Sequence, residues 1–373
     1  MTLLLLVVGL VALALGAELL VRGASRLALA TGLSPLVIGL TVVAFGTSSP
    51  ELAVSIGAAR DGSGDIALGN VVGSNITNVL LIIGLAALVA PLVVARQLVR
   101  VDVPLMVVAS VGVLLLAGDG VLGSGDGVLL VTALVAYIVL QIRLGRREPQ
   151  AAGTAPEPVR ARGMSTRIRD LAFVAAGLLL LIVGAGWLVD AATVIARRFG
   201  LSELVIGLTV VAVGTSLPEI ATSVLAVMRG QRDLAVGNVV GSCLFNLLGV
   251  LGITALVAPD GIGVGASALR FDMPVMLATA VACLPIFFTG HCINRWEGGL
   301  FLAYYVAYTA YLLLDSAGHA ALPAYSAIMM LFVVPLTACV VAFAVGIGLI
   351  LGVMNVFVRD LGQVVPIVLQ IGF

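Results

Sequence analysis

Two glutamates, Glu51 and Glu219, lie deep inside apolar stretches, and each is surrounded by the same kinds of hydroxyl and proline neighbours. A carboxylate near the middle of a bilayer costs roughly 2.5–3.5 kcal/mol on insertion scales, so two of them at equivalent places call for a function. Ser48 stands three residues before Glu51 and Ser216 three before Glu219, which puts each pair on one helix face. Thr47 and Thr215 adjoin the serines, and Pro50 and Pro218 directly precede the glutamates. Proline withholds a helical N–H and kinks the chain, so a carbonyl about one turn back, near Ala44 or Ala212, is expected to be freed as a further oxygen ligand. On the following apolar segments Ser74 and Asn78 are four apart, as are Ser242 and Asn246. The whole set offers only oxygen, which suits hard cations; Ca²⁺ takes about six to eight oxygens at about 2.3–2.6 Å. No thiolate or imidazole cluster stands nearby, which argues against Zn²⁺ or Cu⁺. Two carboxylates balance one Ca²⁺ or hold a few Na⁺, and competition for one such pair gives obligatory exchange.

These residues come in duplicate. The segment 32–51 and the segment 200–219 agree at seventeen of twenty positions, at an offset of 168. The same offset carries Asp65 to Asp233, Gly-Asn-Val-Val-Gly-Ser at 69–74 to the same six residues at 237–242, and Asn78 to Asn246. Further on, Arg100, Asp102 and Pro104 match Arg270, Asp272 and Pro274 at an offset of 170. Asp126 with Val-Ala-Tyr at 135–137 matches Glu297 with Val-Ala-Tyr at 306–308 at an offset of 171. The repeated unit is therefore a whole half of the chain rather than a short motif.

The elements that must carry these residues follow from composition. Of 373 residues 61% are hydrophobic and 10% charged, and mean hydropathy is +1.22. A soluble chain of this length would need far more charge on its surface. Apolar runs of about 20 residues match the length that crosses a hydrocarbon core. Spans are expected at 3–22, 33–59, 66–90, 103–118, 125–143, 170–192, 203–228, 234–257, 273–290 and 298–315, with an eleventh at 324–353. The expected fold class is an all-α integral membrane protein. Residues 1–143 form a first five-helix repeat, 144–169 an Arg- and Pro-rich linker, 170–315 a second repeat, and 316–373 an extension with an extra helix. The first apolar run lacks the basic residues that open a secretory signal, and the repeat needs it as a helix, so it is kept as one. Net charge is zero, so nothing points to nucleic acid. The expected partners are the lipid bilayer and small cations, with no cofactor. Cys243, Cys283, Cys292 and Cys339 lie in or near apolar segments without paired spacing and read as packing residues.

Five crossings per repeat leave the second copy starting from the opposite side, so the copies are inverted about an axis in the membrane plane, an arrangement common in secondary transporters. All nineteen basic residues are Arg. With the N-terminus outside, fifteen Arg fall on the inner side and four outside, or eight against four without the linker; this predicts a cytoplasmic linker.

The doubled Gly-Thr-Ser-x-Pro-Glu and Gly-Asn-x-x-Gly-Ser-x-x-x-Asn motifs resemble the two alpha-repeats of the Ca²⁺/cation antiporter superfamily, in particular prokaryotic sodium/calcium exchangers. The resemblance covers about residues 1–315. It implies one Ca²⁺ site flanked by Na⁺ sites, made by Glu51, Ser48, Thr47, the Ala44 carbonyl, Ser74 and Asn78 with Glu219, Ser216, Thr215, the Ala212 carbonyl, Ser242 and Asn246. It also implies three Na⁺ moving against one Ca²⁺ by alternating access. Some relatives carry Asp where this chain has Asn246, a pattern of K⁺-dependent exchangers, so K⁺ co-transport is not expected. Cation/proton relatives carry an acidic residue in the Gly-Asn segment, where this chain has Val-Val-Gly-Ser; H⁺/Ca²⁺ exchange therefore comes second.

The remaining features have plainer readings. Glu18 lacks a repeat counterpart and is expected to pair with Arg22. Asp102 and Asp272 are expected to cap helices and pair locally with Arg100 and Arg270. The glycines near the site read as packing residues, with Gly69-Asn70 and Gly237-Asn238 as openings of half-helices aimed at it. An intramembrane hydrolase would need a base beside Ser48 or Ser216, and His291 and His319 stand outside the motifs. A channel would also use an oxygen-lined site, but glutamates in inverted repeats fit a carrier better, and so no enzyme activity is expected.

Overall fold

The computed structural model describes residues 2–31, 33–147, 164–198, 212–288 and 290–334. Their architecture is helical, as runs of Leu, Val, Ala and Ile interrupted by Gly and Pro clusters require in a medium that cannot hydrogen-bond the backbone. The helices are α1 (Thr2–Thr31), α2 (Pro35–Thr47), α3 (Ser49–Arg60), α4 (Ile66–Val89), α5 (Leu98–Asp119), α6 (Ser124–Arg147), α7 (Met164–Arg198), α8 (Ala212–Thr215), α9 (Leu217–Met228), α10 (Arg232–Val257), α11 (Ala268–Phe288), α12 (Arg295–Ser316) and α13 (Leu322–Leu331). Seven of them (α1, α4, α5, α6, α7, α10 and α11) are long and apolar enough to cross a membrane, and α2 with α3, bent by 42°, makes an eighth. The protein is a multi-pass membrane protein.

Several expected boundaries shift. Helix α1 runs to Thr31 rather than ending near residue 22, because Ala24 to Ala30 is rich in good helix formers. The expected linker is partly helical: α6 continues to Arg147 and α7 begins at Met164. The interior of the linker, the first part of the expected span at 203–228, and everything beyond residue 334, including Cys339 and most of the expected eleventh helix, lie outside the described residues. The expected span at 298–315 is the helix α12, which carries Arg295, Glu297 and Asp315 and is not among the seven. Gly69 and Gly237 do not open helices. They lie one to two turns into the helical stretches that begin at Gly64 and Arg232 and run on through α4 and α10.

Close contacts recur under the sequence offset. A methyl group placed on Gly9 would sit 2.9 Å from the Gly184 carbonyl oxygen, and one on Gly16 2.9 Å from that of Gly177. Gly177 and Gly184 are the offset counterparts of Gly9 and Gly16. As the chain rises from 9 to 16 in α1, its partner falls from 184 to 177, so α1 and α7 run antiparallel at backbone contact, which only small residues permit. Likewise Gly84 of α4 abuts Gly298 of α12, and their counterparts, Gly252 of α10 and Gly127 of α6, abut each other. Four two-residue strands, β1 (Leu92–Val93), β2 (Val121–Leu122), β3 (Ile262–Gly263) and β4 (Cys292–Ile293), pair β1 with β4 and β2 with β3, both antiparallel. Each pair joins a loop after the third helix of one half to a loop after the fourth helix of the other. Helix starts are matched too: Asp126 accepts from the Gly123 N–H at 2.8 Å, and Glu297 from the Asn294 N–H at 2.6 Å.

Helices α4 and α10 are the most enclosed and cross near the centre of the core, which also takes in Cys243 and Cys283. They present Ser74, Asn78, Ser242 and Asn246 to the interior.

Candidate ion-binding site

The break between α2 and α3 positions Glu51. Ser48 sits at it with φ −83° and ψ 7°, outside helical geometry, and Ser216 repeats this with φ −88° and ψ 5° between α8 and α9. Pro50 and Pro218 fall in the first turn of the next helix, where a missing N–H costs nothing. Each break therefore brings a threonine, a serine and a glutamate together on successive turns.

The carbonyl of Ala44 is not freed as expected. It accepts the Ser48 N–H at 3.0 Å and the Thr47 hydroxyl at 3.4 Å, because the chain stays helical up to the break. The N–H that Pro50 withholds is the one owed to Gly46, four residues back. A carbonyl has two lone pairs, so Ala44 remains able to contact a cation only as a shared oxygen. Ala212 opens the short helix α8.

The side chains interlock across the two halves. The Ser48 hydroxyl donates to Glu219 Oε1 at 3.2 Å, and the Ser216 hydroxyl to Glu51 Oε1 at 3.5 Å. Thr47 donates to Asn238 Oδ1 at 3.2 Å and lies 3.4 Å from the Ser242 hydroxyl. Glu51 is 1% exposed and Glu219 0%, so both carboxylates are cut off from solvent. Each keeps its Oε2 without a hydrogen-bond partner, and so do both amide atoms of Asn78 and of Asn246. Asn78 is the first residue and Asn246 the second residue of wide π-helical turns, Asn78–Ile83 and Phe245–Val250, a local geometry frequent at functional sites. Buried oxygens of this kind are unfavourable unless something positive or a donor meets them. Among the described residues no three His, Cys, Asp or Glu side chains converge as a transition-metal site would require.

Of the expected ligands, Thr47, Ser48, Glu51, Ser216, Glu219 and Ser242 are linked by these contacts. Ser74, Asn78 and Asn246 are buried on α4 and α10, and Thr215 is half-buried at the end of α8. A second ring of residues surrounds these, in which Asn70 and Asn238 are expected from the sequence only as helix openings and Ser55 and Ser223 are not singled out at all. Asn70 Nδ2 donates to the Glu51 carbonyl and to Ser55 Oγ, both at 3.0 Å, and Asn238 Nδ2 to Ser223 Oγ at 3.0 Å. Ser55 and Ser223 obey the offset of 168 and stand one turn after the glutamates, so the duplication alone could have marked them.

Two other expectations were tested by geometry. Glu18 does pair with Arg22, and also with Arg229 at 2.7 Å. Asp102 caps nothing: it is fully buried and takes hydrogen bonds from Gln141 and Tyr137, which α6 packs over it, and from Gln97, just ahead of α5. Asp272, its counterpart, is met by Tyr308 at 3.0 Å.

Known proteins share these features. The family model described as "Sodium/calcium exchanger protein" matches residues 1–143 and 170–314. The putative antiporter CaxA of Alkalimonas amylolytica is 39% identical over 320 residues, covering 83% of this chain and 97% of that protein. The sodium/calcium exchanger MaX1 of Methanosarcina acetivorans is 33% identical over 339 residues, covering 82% and 96%. Among solved structures, the sodium-calcium exchanger NCX_Mj superposes with a TM-score of 0.72 at 30% identity, over 83% of this chain and 98% of that one.

Proposed function

The chain belongs to the sodium/calcium exchanger protein family, and from that premise we propose that it exchanges Na⁺ for Ca²⁺ across the membrane by alternating access at the Glu51–Glu219 site. One observation carries this reading: each carboxylate is held by a serine of the other half, while its second oxygen faces the interior unpartnered. Such a site can take a divalent cation between two carboxylates, or monovalent ions around them. Glu51, Glu219, Ser48, Ser216, Thr47, Thr215, Ser74, Ser242, Asn78 and Asn246 supply side-chain oxygens, with the Ala44 and Ala212 carbonyls as backbone donors. Because the hydroxyls cross between halves, moving one half against the other breaks the site on one side and re-forms it on the other.

The fold reading behind this is ten core helices as two inverted five-helix repeats, 1–143 and 170–315. The antiparallel contact of α1 with α7 supports it, as does the pairing of loops from unlike positions, which parallel copies would leave on opposite faces. The N-terminus is assigned outside and the linker inside. Glu18–Arg229 and Arg26–Asp170, the latter at 3.8 Å, fit this by joining segments that the scheme puts on the inner side.

The test is ⁴⁵Ca²⁺ uptake into proteoliposomes loaded with Na⁺ or with choline at clamped pH. Uptake that requires internal Na⁺ and is lost in Glu51→Gln and Glu219→Gln establishes the reading. Uptake that follows a pH gradient and ignores Na⁺ moves the coupling to protons.

A further inference from the structure

We propose that Asn238 is a positioning residue that fixes the direction of the Thr47 hydroxyl, so that a lone pair rather than a proton faces the transported cation. The proposal rests on Thr47 being an ion ligand, as in the reading above.

The orientation of the amide comes from its counterpart. Asn70 Nδ2 lies 3.0 Å from the Glu51 carbonyl oxygen, which can only accept, so the amino end of that side chain must point there. The same amino end reaches Ser55 Oγ at 3.0 Å, and Ser55 can accept because its own proton goes to the Ala67 carbonyl at 3.4 Å. Of these two contacts Asn238 makes the second, Nδ2 to Ser223 Oγ at 3.0 Å, and as the offset counterpart of Asn70 it is assigned the same orientation. With its amino end held by Ser223, Asn238 turns Oδ1 toward Thr47, 3.2 Å away in the other half. Both Asn238 and Ser223 are fully buried, so no solvent competes for these bonds.

The consequence is directional. A threonine hydroxyl has one proton and two lone pairs. Its proton can go to Asn238 at 3.2 Å, to the Ala44 carbonyl at 3.4 Å or to the Ser242 hydroxyl at 3.4 Å. The Asn238 bond is the shortest of the three, and its acceptor belongs to the opposite half. Each approach of the halves therefore sets the ligand at the moment the site forms. If Ser223 is lost, the amide is free to turn, and its N–H₂ would then point at Thr47 and drive the hydroxyl proton toward the cation.

The experiment is ion-induced thermal stabilisation of purified full-length protein in detergent, titrated with CaCl₂ and separately with NaCl, for wild type, Ser223→Ala, Ser223→Thr, Thr47→Ala and the Thr47→Ala/Ser223→Ala pair. Loss of one oriented hydrogen bond should raise the half-saturating concentration of at least one ion about fivefold in Ser223→Ala. Ser223→Thr, which keeps the hydroxyl, should restore it. In the Thr47→Ala background Ser223→Ala should add nothing, because the lever it acts on is gone. An equal further loss in that background, or a lower unfolding temperature with unchanged half-saturation, would overturn the proposal and leave Ser223 as packing. Wild-type protein stabilised by neither ion would sink the exchange reading and this proposal together. Normal wild-type binding with an unaffected Ser223→Ala sinks this proposal alone.

Discussion

Around Glu51 and Glu219 the two halves of the chain are nearly interchangeable, residue for residue and bond for bond; around Asp102 and Asp272 they are not. The Ser48–Glu219 and Ser216–Glu51 contacts mirror each other, as do the backbone breaks beneath them. Asp102, by contrast, is sealed under Gln97, Gln141 and Tyr137, while Asp272 keeps its tyrosine, and the sequence has Ser267 and Leu312 where the first half has the two glutamines. The difference follows from what each place must do. At the centre a serine of each half holds the glutamate of the other, so a change in either is felt by both. At the edges each half meets only its own neighbours, and those can diverge.

The largest expected effect tests the centre. Glu51→Gln and Glu219→Gln should each cut Na⁺-dependent ⁴⁵Ca²⁺ uptake by about 100-fold or more, since each removes a charge from a desolvated site. Near-wild-type uptake in one of the two would break the equivalence. Next, Ser48→Ala and Ser216→Ala should raise the half-saturating Ca²⁺ concentration about tenfold each, the scale of a hydrogen bond to a charged group. A clear disparity between them would show that the crossed contacts are unequal in the working protein. At the edge, Asp102→Ala should lower stability by about 1–3 kcal/mol, because buried amide donors lose their acceptor, and Asp272→Ala by clearly less. Thermal unfolding in detergent reads this, and equal losses would erase the contrast drawn above. The smallest effect belongs to Arg229→Ala. Arg229 is half exposed where it meets Glu18, so the loss should stay under about 1 kcal/mol in the same assay.

The same contrast explains how much could be read from the chain. Membrane class, the apolar spans that the described residues bear out, and the central side chains are legible because each is written locally and, in large part, written again about 168 residues later. The Glu18–Arg22 pair was visible because its members lie one helical turn apart. What stayed hidden depends on partners remote in sequence. Gln141 lies 39 residues from Asp102, and Arg229 stands just past the end of α9, far along the chain from Glu18, so no spacing rule reaches them. The Ala44 carbonyl was misjudged because proline was read as breaking the turn before it, whereas the chain places the break at Ser48 and lets the proline start afresh. Asn70 and Asn238 stand inside their helices rather than at the starts, because Gly69 and Gly237 do not interrupt the helical backbone; Gly237 instead packs against the Leu36 carbonyl.

The glycine seam between α1 and α7 has a meaning for assembly. Gly9 meets the counterpart of Gly16, and Gly16 meets the counterpart of Gly9, so the seam is self-complementary in the manner of a two-fold dimer. The first half alone already displays both surfaces that meet there. The seam is made by α1 and α7 themselves, and joining the halves in one chain adds effective concentration to it. A chain severed between residues 147 and 164 keeps every glycine of the seam, and two co-expressed halves carry all they need to find each other along it.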